Sequence, residues 1–284
     1  KLRLETEADG TVNQLNCPKL LISADNHFLL KGDVSLQDLS HPQDAYIFGN
    51  LSNLYADPDG IAFFVRNLSK DYKGVPPALQ HLGTISFRGE ISGYFTDLVT
   101  YGEVRTDIGT VKTDVKFSSD KEKGYFSYSG AVKTAEFELG KLLANDKFGK
   151  VTFNMDVKGS HYAKRYPSVT MKGLVASIDY SDYTYENITL DGEYKQGGFN
   201  GNVSFDDENG AIQLNGSINT AGKIPTFNFR ADVDHFRPNT LHLTPKYKDT
   251  EISVKIKADF TGSSINDMNG EINIDSLQYT APDQ

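Results

Sequence analysis

The chain has no tryptophan, one cysteine and three methionines in 284 residues, and each scarcity closes off a class of protein. With Cys17 alone, no internal disulfide can form and no cysteine-based zinc site can be built. No stretch approaches the roughly 20 consecutive apolar residues of a membrane-spanning helix. Nor is Lys1 followed by a charged-then-apolar leader. Basic residues are outnumbered, 29 Lys and Arg against 38 Asp and Glu for a net charge of −9, and they form no run. Sequence-independent binding to nucleic acid or to anionic lipid surfaces needs a basic patch, so neither is expected.

Catalytic signatures are missing as well. There is no Gly-x-Ser-x-Gly elbow, no His-Glu-x-x-His, no Walker loop and no dinucleotide fingerprint. A glycosidase needs two facing acids in a cleft, usually backed by sugar-stacking aromatics, and the lack of tryptophan argues against one. The chain therefore reads as non-enzymatic, with no catalytic residue, no metal site and no cofactor. An apolar fraction of 38% and a charged fraction of 24% fit a folded chain and exclude disorder. Both ends fall within patterned sequence, as expected of a piece of a longer protein.

What the sequence does have is a repeated five-residue phrase, apolar-x-Gly-x-apolar. It occurs at Leu30-x-Gly32-x-Val34, Ile47-x-Gly49-x-Leu51, Phe87-x-Gly89-x-Ile91 and Tyr128-x-Gly130-x-Val132. It returns at Met171-x-Gly173-x-Val175, Leu190-x-Gly192-x-Tyr194, Phe199-x-Gly201-x-Val203, Leu214-x-Gly216-x-Ile218 and Met268-x-Gly270-x-Ile272. Side chains of a strand alternate between faces, so the two apolar residues and the glycine share one face. Glycine weakens a strand unless a bend or a close approach requires its missing side chain. The phrase thus predicts a sheet that curls around its apolar face and leaves room inside.

Period-two alternation surrounds these phrases, as at Ile85 to Ile91, Val111 to Phe117, Val151 to Val157, Ile212 to Ile218, Phe227 to Val233 and Ile252 to Phe260. Turn signals separate the runs: Asp57 to Gly60, Gln196 to Gly198 and Asp206 to Gly210, the last with Asn209-Gly210 supplying positive φ for a tight hairpin. Short helices are expected from Pro76-Pro77 to Gly83 and from Lys141 to Lys147, closed by Gly149, with a turn near Phe236 to Leu241. None is long enough to cover a sheet. The fold class is accordingly all-β, a long curled antiparallel sheet forming a β-groove with an apolar interior; a closed β-sandwich is the alternative. The break at Lys73 to His81 divides the chain into an N-terminal β unit, 1–75, continuous with a repetitive antiparallel groove, 76–284.

The remaining candidates carry bland readings. His27, His41, His81, His161, His235 and His242 are scattered, and His235 and His242 flank a turn without a metal-ligand set. Asp57 with Asp59, and Asp206 with Asp207 and Glu208, are solvated turn acids lacking the further oxygen ligands calcium needs. Tyr180, Tyr183 and Tyr185 read as the rim of a strand pair. Asn-x-Ser/Thr triplets at Asn50, Asn67, Asn187, Asn202 and Asn215 are ordinary products of polar β faces rich in these residues.

The stretches 83–95, Thr106 to Val111, Phe148 to Val151, Tyr180 to Ile188 and Leu190 to Tyr194 resemble the AsmA-like/TamB family in its long Bacteroidetes versions. Phe229 to Phe236 and Met268 to Ile272 are similar to it too. The resemblance is closer in the later part of the chain than at its beginning, and its motifs are degenerate β repeats. It implies a periplasmic segment of a protein anchored in the inner membrane, with a hydrophobic groove that carries phospholipid or outer-membrane protein clients. It also implies an outer-membrane assembly partner for the full-length protein. The family's functional feature is its apolar lining, which maps onto Phe87, Ile91, Val115, Phe117, Phe153, Met155, Met171, Val175, Phe199, Val203, Phe205, Leu214 and Ile218. The family's membrane anchor and barrel-binding end have no counterpart in this sequence.

Overall fold

Alternating sequence produces long strands joined by short turns, and the chain is 71% strand and 5% helix in the computed structural model. The structure describes residues 1–41, 44–68, 80–120, 124–162, 168–246, 248–264 and 266–281. It divides into two compact units, Lys1–Asp146 and Lys147–Gln284. The division at 75/76 expected from the sequence falls outside the described residues, and the strands that flank it pair directly with one another.

The first unit contains β1 (Leu2–Glu5), β2 (Asp9–Thr11), β3 (Gln14–Ala24), β4 (Phe28–Gln37), β5 (Tyr46–Ala56), α1 (Pro58–Leu68), β6 (Ile85–Tyr94), β7 (Asp97–Thr106), β8 (Gly109–Asp120), β9 (Tyr125–Glu138) and α2 (Leu139–Leu143). Strands β3 to β9 pair antiparallel in sequence order, and β1 and β2 share the free edge of β3. The second unit runs β10 (Phe148–Tyr162), β11 (Ser168–Tyr180), β12 (Tyr183–Lys195), β13 (Gly198–Asp207), β14 (Gly210–Asn219), β15 (Thr226–Phe236), β16 (Glu251–Thr261) and β17 (Asn269–Thr280), again a meander of antiparallel neighbours. The sheet is curled and not closed into a barrel.

The apolar-x-Gly-x-apolar phrases sit as their spacing predicts, with glycines facing glycines or apolar residues across the ladder. Gly192 lies opposite Gly201, and Gly201 opposite Gly216. Gly216 has φ +142, a conformation that L side chains rarely adopt, and a Cβ there would sit against the Asn228 carbonyl oxygen and 2.5 Å from Phe229 Cα. The glycines on this face let the strands curl without side chains colliding with the neighbouring backbone.

Three local expectations need correction. Asp57 to Gly60 does not form a hairpin turn but begins α1: Asp57 caps it by accepting from Gly60 N–H through Oδ1 at 2.8 Å, and Pro58 takes the first helical position. The helix expected from Lys141 is instead Leu139–Leu143, ended by Ala144 at φ 49, while Gly149 lies inside β10. The 206–210 hairpin forms, with Asp207 opposite Gly210, yet neither Asn209 nor Gly210 has positive φ. Gly210 is required by packing, since a Cβ there would lie 2.8 Å from Phe236 Cδ2. The Gln196-Gly197 turn does have the expected geometry, with φ 52 and 73. The helix start at Pro76-Pro77 lies outside the described residues.

Candidate functional site

Cross-strand register places the sequence-derived lining on one face of each unit. In the first, Phe87 faces Val104, Val104 faces Val111, and Phe117 on β8 faces Leu98 and Tyr128. Ile91 and Val115 both face Thr100, so all four lining positions of this unit share the glycine-bearing face. In the second, Phe153 faces Val175, Met155 faces Gly173, and Met171 faces Gly192. Leu190 continues to Val203 and Leu214, and Tyr194 to Phe199 and Ile218, with Phe205 opposite Ile212. A continuous apolar surface results in each unit.

The two surfaces differ in how dry they are. Between β3 and β6 the curl packs Cys17, Leu20, Val34, Leu51 and Phe87 into a buried cluster, with Leu51 only 3% exposed. In the second unit Phe205 is buried, whereas Phe153, Met155, Met171, Val175, Phe199, Val203, Leu214 and Ile218 are all half-buried. No helix in the described residues lies over them. The outermost strand, β17, exposes Ile274, Leu277 and Tyr279 more fully still.

A meander sends its turns alternately to two rims. In the first unit the rim that carries α1 and α2 buries Phe28, Ile108 and Phe137. In the second unit the rim that carries residues 237–246 buries Phe205 and Leu241, Leu241 completely. Leu241 is held by a turn in which its N–H donates to Arg237 O at 3.0 Å, and its carbonyl accepts from Tyr185 Oη at 2.6 Å. Tyr183 donates to Asp207 Oδ1 at 2.5 Å and accepts from Asn209 Nδ2 at 3.1 Å. Burial and then the bond to Asp207 push the Tyr183 hydroxyl up to about 12. These tyrosines fasten one turn to the next, with the His242 ring edge-on to Tyr183. The opposite rim of the second unit exposes Tyr194 and Ile224. A hollow of about 760 Å³ opens there between Tyr194, Gln196, Asn219, Ala221 and Ile224.

Titratable groups are used in holding turns. His27 Nδ1 lies 2.7 Å from Asp57 Oδ2, which ties the β3–β4 turn to the cap of α1. That hydrogen bond, reinforced by the carboxylate charge, raises the His27 pKa above its ordinary 6.5. A histidine raised on folding contributes stability that is complete below its unfolded pKa and is lost as pH rises through its folded one. An NMR titration is therefore expected to give His27 a midpoint above 6.5, and Asp57→Asn, which keeps the cap but not the charge, to return it toward that value. An unchanged midpoint in the variant would refute the pairing. His235 and His242 approach different turns, at Asp207 O and Ser181 O. Among the described residues no three His, Cys, Asp or Glu side chains are grouped to hold a metal.

Asp57 is spent on Gly60 N–H and on His27, and Asp207 on Tyr183 and on Asn209 N–H at 2.9 Å. Replacing Asp206, Asp57 and Asp59 by Asn is expected to alter only the 206–210 hairpin, the start of α1 and the His27 titration; a hydrolytic activity that disappears with them would reverse the non-enzymatic reading. Comparison of the chain with family models, with curated proteins and with solved structures returned no match.

Proposed function

We propose that this chain is a non-enzymatic segment of a TamB/AsmA-like periplasmic protein that carries phospholipid acyl chains, or apolar stretches of outer-membrane protein clients, along its glycine-spaced face. In the full-length protein it would be tethered at the inner membrane and would serve outer-membrane biogenesis together with an outer-membrane assembly partner. The observation that carries the reading is the half-buried apolar lining of the second unit, continuous from β10 to β14 by register and without a covering helix in the described residues. A face left in this state gains about 0.8 kcal/mol for each methylene it takes out of water. An acyl chain supplies many methylenes in a shape that fits a trough. Head groups would stay at the short-turn rim, where Tyr194 and Ile224 flank an opening.

Native mass spectrometry of the purified chain is expected to show co-purified phospholipid. Photocrosslinkers at Val203 and Leu214 should capture it, while one at outward-facing Asn202 should not. Absence of lipid together with absence of crosslinks from the lining would refute the proposal. One observation favours a second reading. The dry cluster around Leu51 is what a sandwich-like adhesion or glycan-binding module would bury, and a chain that stays lipid-free in both measurements would support it.

A further inference from the structure

The polar face of the second unit carries an arrangement that acyl-chain transport does not use. Cross-strand partners on this face are mostly complementary: Lys172 pairs with Asp191 at 2.8 Å, Lys255 with Asp232 at 2.9 Å, and Asn215 donates to Asn202. Two pairs break the pattern, Asp259 opposite Glu271 and, as the one pair of cations, Arg230 with Lys257. Arg230 and Lys257 lie directly opposite each other on β15 and β16, two like charges at a position where like charges repel. Neither has a hydrogen bond or an ion pair among the described residues, and both are exposed.

Beside them the short side chains Asn202, Asn215, Thr189 and Ser204 leave a hollow of about 610 Å³, with Arg230, Lys255 and Lys257 lining it. Asp232 and Asp275 also line it, so it holds three cations against two carboxylates within a chain of net charge −9. Its floor has no aromatic side chain, which disfavours a stacked base. It offers instead a guanidinium fork and an ammonium for a carboxylate, next to amides and hydroxyls that can exchange hydrogen bonds with sugar hydroxyls.

We infer that this hollow is a binding site for an acidic saccharide, with the uronate carboxylate bridging Arg230 and Lys257 and the sugar hydroxyls on Asn202 and Asn215. The bound carboxylate relieves the repulsion between the two cations. The site lies on the face opposite the apolar lining, so it stands or falls independently of lipid carriage.

The test is an amide NMR titration of the full chain with trigalacturonate, with maltotriose and inorganic phosphate as parallel probes. Trigalacturonate is expected to shift the amides of Asn202, Asn215, Arg230 and Lys257, and the two other probes at the same concentration to leave them in place. The double variant Arg230→Gln with Lys257→Gln should weaken binding at least tenfold, and Lys172→Gln, on the same face outside the hollow, should not. Unchanged amide spectra outside the substituted rows would certify that the double variant is folded. The inference is overturned if trigalacturonate shifts nothing, if the double variant binds as well as the parent, or if phosphate alone reproduces the shifts.

Discussion

Leu51→Asp is expected to unfold the first unit, whereas Val203→Asp is expected to leave the second unit folded and, on the proposed function, to abolish lipid crosslinking. Leu51 is 3% exposed inside a cluster with Cys17, Val34 and Phe87, where a carboxylate would have neither water nor a partner. Stranding a charge in such a place costs on the order of 3–5 kcal/mol, a large share of the roughly 5–15 kcal/mol that holds a domain together. Val203 is half-buried on an open face, so a carboxylate there keeps part of its hydration and costs the fold less. On the proposed function an acyl chain crossing that point would meet an ion in its path. Thermal unfolding followed by circular dichroism, with photocrosslinking from Leu214 on the same proteins, reads both effects. Equal destabilisation by the two substitutions would mean that Val203 belongs to a closed core, and the carriage proposal would lose its main support.

Gly216→Val is expected to lower stability far more than Ser217→Ala, its neighbour on the other face. The residue at 216 must hold φ +142, and its Cβ would press on the Asn228 carbonyl and on Phe229. Backbone strain of this kind costs about 1–3 kcal/mol, and the displaced strand adds to it, while an ordinary surface change stays within about 0.5 kcal/mol. For a chain of this size each kcal/mol moves the melting temperature by roughly 2–4 °C. Gly216→Ala carries the same conformational penalty with less bulk and should fall between the two. A melting temperature for Gly216→Ala equal to the parent would show that the curl does not depend on this glycine.

Both predictions start from features readable in the sequence. Alternation and the glycine phrase define which residues share a face because a strand has a period of two, and the register pairs Gly201 with Gly216 and Val203 with Leu214 as that rule requires. The connections were less legible. Asp57-Pro58-Asp59-Gly60 is as good a helix start as a turn, and what decides is the packing of α1 against β5 and the His27 contact, which are tertiary. The bulges were only partly legible. Lys19 at φ 53 follows Pro18, a residue that in a strand marks a bulge, whereas nothing local marks His235 at φ 39; each is held from a neighbouring strand, Lys19 N–H by Asp33 at 2.9 Å and His235 N–H by Ser253 at 3.0 Å. The Arg230 and Lys257 pair could be found only after register was known, since 27 positions separate them in the chain and nothing local connects them.

The difference between the two rims has a mechanical consequence. Where Tyr185 grips the Leu241 carbonyl and Leu241 is fully enclosed, the ends of the second unit's strands are clamped to one another. At the other rim of this unit lies the tight Gln196-Gly197 turn, with Tyr194 and Ile224 meeting solvent. Were the second unit to carry chains as proposed, an opening at the short-turn margin would ask for no change in the Tyr185 and Tyr183 bonds that join the opposite turns, nor in the strand register.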